Sequence, residues 1–205
     1  MLVAPAVAGG EHLLDAALAG GDVASVIIAP GDLDAAAYQQ SCERLVPIAQ
    51  HHGAAALACD DSRIMGRSGA DGVLLTQPGS DLKDIIAQLS PNRIVGCAGA
   101  RDRHRALEIG ECDPDFLFFG RLDGDIRPQP HPKNLALAQW WSAMIEIPCV
   151  VMGGSAVDSV VECAASGAEF VALGLAVFTA IDGPEAAVRQ ANLLLDEHAP
   201  IFAEN

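Results

Sequence analysis

Two adjacent glycines, Gly153 and Gly154, stand between the apolar run CVVM and a stretch of helical character that begins at Ser155. A third, Gly174, closes the run FVALG. Glycine lets the backbone reach positive φ and come close to a ligand. The first turn of a helix leaves N–H groups unpaired and carries partial positive charge. Together they favour an anion, so the pattern predicts a phosphate held by Gly153, Gly154 and Gly174, with Ser155 as helix cap. Cations for such a ligand are available in one irregular segment, GRLDGDIRPQPHPK, from Gly120 to Lys133. Arg121, Arg127 and Lys133 suit phosphate contacts, Arg as a fork and Lys as a point charge, and His131 is a further candidate. Asp123 and Asp125 in the same segment are the competing partners of those arginines. For proton transfer at a phosphorylated substrate, the candidate acids and bases are Cys59, Asp60 and His131.

The elements that position these residues follow from hydrophobic patterning. GADGVLL from Gly69, DPDFLFFG from Asp113 and GAEFVALG from Gly167 share an acid ahead of an apolar run. Apolar runs also occur in LVAPAVA from Leu2, DVASVIIAP from Asp22, AAALACDD from Ala54, RIVGCAG from Arg93 and PCVVMGG from Pro148. That makes eight candidate strands. Helical periodicity lies between them, as in 33–50, in Val157, Val160, Val161 and Ala164, and in 186–197. Gly167 marks the end of the helix after the seventh run. Continuously apolar strands alternating with helices predict a parallel sheet buried on both faces. Eight units in 205 residues predict a single-domain (βα)8 barrel spanning residues 1–205, with an open doubly wound sheet as the other arrangement. The site then belongs to the loops at the carboxyl ends of the strands.

Composition sets outer bounds. The chain carries 27 acidic and 12 basic residues, a formal net charge of −15, which disfavours nucleic acid as a partner. The apolar runs are far shorter than the ~20 residues that cross a bilayer, and no basic residue precedes the first of them, so a cytoplasmic protein is expected. The six cysteines show no C-x-x-C spacing and read as buried small hydrophobes rather than zinc ligands or disulfides. His51-His52 falls at a helix end, where the dipole favours positive charge. The RDRHR cluster, Arg101 to Arg105, suggests either an anion patch or an exposed helix start. Trp140-Trp141 suggests packing against a helix or against a second copy in a homo-oligomer.

The stretch VVMGGSAVDSVVECAASGAEFVALGLAVF, from Val150 to Phe178, resembles the last two βα units of thiamine phosphate synthases and of the related thiazole tautomerases. GADGVLL and DPDFLFFG are similar to the family's strand 4 and strand 6 motifs. The resemblance implies a phosphorylated small-molecule ligand and a transferase of thiamine biosynthesis. Such enzymes join hydroxymethylpyrimidine diphosphate to thiazole phosphate and release diphosphate, assisted by Mg²⁺. Carried over residue by residue, it implies Asp60 on Mg²⁺, Gln77 near the pyrimidine, cations from 120–133, and the thiazole phosphate on Gly153, Gly154 and Gly174.

The chain also departs from the family pattern. The Gln-x-Arg-x-Lys at strand 2 meets IIAPG, without its polar residues. The strand 4 His, Glu and second Asp meet Leu74, Pro78 and Gly79, with Asp81 displaced by two positions. The strand 5 serine meets Ala98, and the strand 6 Thr-x-Thr-Lys has no clean match. Three functions remain open on the sequence: the family transferase, a non-catalytic phosphate-ligand-binding barrel or pseudoenzyme, and a tautomerase or isomerase of a phosphorylated small molecule.

Overall fold

The computed structural model describes residues 1–7 and 9–199. Its strands are β1 (Leu2–Pro5), β2 (Ser25–Ala29), β3 (Ala55–Cys59), β4 (Gly72–Leu75), β5 (Ile94–Cys97), β6 (Phe116–Phe119), β7 (Cys149–Met152) and β8 (Phe170–Ala172). All neighbouring pairs are parallel, in sequential order. The sheet closes where the Val3 amide donates to the Leu173 carbonyl and the Leu173 amide donates to that of Met1. This is the expected (βα)8 barrel. The helices are α1 (Gly10–Leu18), α2 (Ala35–His51), α3 (Ser62–Ser68), α4 (Leu82–Leu89), α5 (Arg103–Gly110), α6 (Pro132–Ser142), α7 (Ser159–Ala165), α8 (Leu175–Phe178) and α9 (Pro184–His198). Among the described residues no helix is long and apolar enough to cross a membrane.

The recurring acid ahead of alternate strands has a structural reason. The Asp71 carboxylate accepts from the Ala56 amide of β3 at 2.8 Å. Asp115 does the same for Val95 of β5 at 2.7 Å, and Glu169 for Cys149 of β7 at 2.8 Å. Each acid satisfies a donor near the amino end of the preceding strand, where the ladder begins. Side-chain bulk is matched across strands as well. A Cβ on Gly96 would lie 2.1 Å from the ring of Phe116 on β6, so the glycine makes room for that ring.

Local corrections follow from capping. The helix after β7 begins at Ser159, and Ser155 lies in a bend rather than at the cap. Asp61 caps α3, accepting from the Arg63 and Ile64 amides. His131 caps α6 through the Lys133 amide at 3.2 Å. His52 pairs with Asp15 at 2.8 Å. Trp141 is fully buried and donates to the Ile147 carbonyl, while Trp140 packs under the Arg103 guanidinium at 5.0 Å.

Asp71→Ala, which leaves the Ala56 amide without its acceptor, is expected to lower unfolding free energy by about 1–2 kcal/mol in urea titration. Gly96→Ala is expected to cost about 1–3 kcal/mol through overpacking. Combining it with Phe116→Leu should recover part of that loss, and strict additivity of the two changes would exclude the proposed contact.

Candidate functional site

At the carboxyl ends of β3 and β4, Asp60 adopts a left-handed conformation with φ of 56°. Its carboxylate accepts from the Thr76 amide and from the Thr76 hydroxyl, both at 2.6 Å. Both oxygens are therefore engaged in joining two strand ends. Among the described residues no three His, Cys, Asp or Glu side chains converge as a metal site. Mg²⁺ is a hard cation usually anchored by one or two carboxylates. Here Asp60 offers one carboxylate, tethered to Thr76, and Asp61 is spent on capping α3.

Next to it, Tyr38 from α2 reaches the ends of β2 and β3. Its buried hydroxyl accepts from the Cys59 amide at 2.6 Å and donates to the Ile28 carbonyl at 2.8 Å. The Cys59 thiol donates to the same carbonyl at 3.4 Å, and burial pushes its pKa up to about 12. A protonated, enclosed thiol is poorly suited to act as base or nucleophile. The cysteines are free thiols and five of them are buried.

Gln77 is exposed and lines a hollow of about 380 Å³ with Pro78, Gly99, Arg101, Asp102 and Arg105. Arg105 is itself occupied, donating to the Pro78 carbonyl and pairing with Glu108. RDRHR thus starts α5, with Asp102 as its cap.

The loops after β6, β7 and β8 meet one another. The Gly153 amide continues the ladder to the Ala172 carbonyl at 2.9 Å. The Gly154 amide donates to the Ser159 hydroxyl at 3.0 Å. Ser155 and Ala156 donate to the Arg127 and Pro128 carbonyls at 2.7 and 3.3 Å. The Leu175 amide, directly after Gly174, donates to the Asp125 carboxylate at 2.5 Å. Asp125 is 2% exposed. Burial holds its carboxyl above the usual carboxylate range, an effect partly offset by the Leu175 amide. The glycines make these approaches possible. A Cβ on Gly154 would lie 2.0 Å from the Pro128 carbonyl oxygen, and one on Gly174 would lie 2.8 Å from the Asp125 carboxylate.

The structure thus brings Gly153, Gly154 and Gly174 together beneath the 120–131 segment. Arg121 pairs with Asp123 on the surface at 2.7 Å. Arg127 contributes its carbonyl, while its side chain and that of Lys133 belong to exposed residues. Of the two acids expected to neutralise arginines, Asp123 does so and Asp125 instead takes an amide. Sequence reasoning missed Thr76, Tyr38, Ser159 and the role of Asp125. An acid flanked by Gly124 and Ile126 in a loop that precedes two glycine turns was the available signal for the last.

Comparison with known proteins fits this geometry. The family model described as thiamine monophosphate synthase matches residues 2–177. A thiamine-phosphate synthase of Hyphomonas neptunium is 33% identical, over 91% of this chain and 86% of its own. One of Rhodospirillum centenum is 31% identical, over 89% and 88%. Among solved structures, thiamine phosphate pyrophosphorylase from Pyrococcus furiosus superposes with a TM-score of 0.76 at 20% identity, covering 91% of this chain and 89% of that one. A 3-hexulose-6-phosphate synthase gives 0.72 at 18%, covering 94% and 97%, a likeness of fold. With its eight-stranded barrel and paired glycine turns, the chain belongs to the thiamine monophosphate synthase family.

Proposed function

We propose that this protein binds a phosphorylated thiazole, of the thiazole phosphate or thiamine phosphate kind, at the loops after β6, β7 and β8, and that it is a poor transferase. One observation carries the reading: the Leu175 amide behind Gly174 already holds an anion, the Asp125 carboxylate. A backbone N–H that donates to a buried carboxylate is chemically suited to donate to a phosphate oxygen. Family membership supplies the class of ligand.

Poor transfer follows from the charges. Departure of diphosphate needs cations aimed at it in a water-poor site. Arg121 is spent on Asp123, and the strand 2 positions that carry cations in the family are Ile27 to Gly31 here. Asp60 holds Thr76 rather than facing a ligand with free oxygens. Losing a single transition-state donor typically costs about 10²–10³ in rate, and several are absent. The tautomerase reading is disfavoured because Cys59 stays protonated and His131 serves as a helix cap.

Two measurements test this. With hydroxymethylpyrimidine diphosphate, thiazole phosphate and Mg²⁺, diphosphate release is expected at least about 10²-fold below that of a family member carrying the strand 2 Gln-x-Arg-x-Lys; matched rates would sink the proposal. Thiazole phosphate is expected to raise the melting temperature in a concentration-dependent way, and the unphosphorylated thiazole alcohol is expected not to. Equal stabilisation by both would move the ligand's phosphate away from the glycine turns.

A further inference from the structure

We infer that the segment after β6 is a strap latched by Asp125, which occupies the phosphate cradle as an internal anion and must lift before a ligand phosphate can enter. The inference rests on the ligand site proposed above and adds its regulation.

Three contacts define the latch. Asp125 takes the Leu175 amide, the Arg127 carbonyl takes the Ser155 amide, and the Pro128 carbonyl takes the Ala156 amide. The donors come from the loops of two different strands, and the acceptors all come from one stretch of four residues. The Gly153 and Gly154 amides are already paired with Ala172 and Ser159, so the donors the strap covers are those that follow the glycine turns: Ser155, Ala156 and Leu175. The side chains around it have been reduced to let this happen, since Gly154 and Gly174 each leave a gap that a Cβ would close against the strap. Around the latched carboxylate the strap is solvated: Ile126 is 76% exposed, and the neighbouring Arg121–Asp123 pair lies at the surface. Leu122 packs against the core at one end and Pro130 is buried at the other, while between them residues 123–129 are exposed except Asp125, so hydrogen bonds rather than apolar burial hold the middle of the strap. Lifting it exchanges these bonds for those of the incoming phosphate, which replaces one anion with another at the Leu175 amide. A strap of this kind weakens apparent affinity by the fraction of molecules that are latched.

The experiment compares wild type with Asp125→Ala and with the nearly isosteric Asp125→Asn, which keeps an acceptor oxygen but no charge. Inorganic phosphate is the first probe and thiazole phosphate the second. Millimolar phosphate is expected to leave the wild-type melting temperature unchanged and to raise that of both variants. Thiazole phosphate is expected to bind each variant at least about tenfold more tightly, roughly 1.4 kcal/mol. Hydrogen exchange at the Leu175 amide should be slow in wild type, fast in Asp125→Ala, and slow again when phosphate is added, a recovery that a purely structural aspartate would not produce. Equal affinity of all three proteins for thiazole phosphate overturns the latch and leaves the ligand site standing. Failure of all three folded proteins to bind either probe overturns both.

Discussion

Unpaired backbone donors at the two rims of the barrel constrain the rest of this molecule. A closed parallel sheet satisfies its interior, but each strand end leaves N–H groups that need acceptors once they are buried. At the amino rim the acceptors are Asp71, Asp115 and Glu169, each serving the strand before its own. At the carboxyl rim they are Tyr38, Asp60, Ser159 and the strap after β6. The first set satisfies the amino ends of β3, β5 and β7. The second fills the place where this fold ordinarily keeps donors open for a ligand.

That contrast explains the reading of function. An active barrel mouth has polar groups aimed at a reacting atom, whereas here the groups are largely aimed at one another. Asp60 is bonded through both oxygens to Thr76, and Arg121 to Asp123. On the proposed reading, backbone amides after β7 and β8 receive an anion, while the strand 2 positions Ile27 to Gly31 offer no cation for a departing one. That proposal separates affinity from turnover, because binding and transition-state stabilisation draw on different groups.

The glycines illustrate how one residue type supports two arrangements. Gly154 and Gly174 permit close approach from above, whether the visitor is a phosphate oxygen or the chain's own carbonyl and carboxylate. In this structure the visitors are Pro128 and Asp125. The same space thus serves closure of the fold here and, in the proposed lifted state of the strap, recognition of a ligand.

The sequence by itself determined the eight strands, their order and the loops that meet at the mouth. Continuous apolar runs such as VIIA, FLFF and CVVM, alternating with amphipathic helices, suit a parallel sheet buried on both faces, and that pattern is legible along the chain. It also determined family membership, through GADGVLL, DPDFLFFG and the paired glycines. Only the tertiary structure decided where the polar atoms of the loops go. Ser155 lost the cap to a helix starting four residues later, Asp60 became a tie between strands, and Asp125 crossed 50 residues of sequence to reach Leu175. Those choices depend on which donors from distant loops remain unpaired after the barrel closes, and no spacing along the chain encodes that competition.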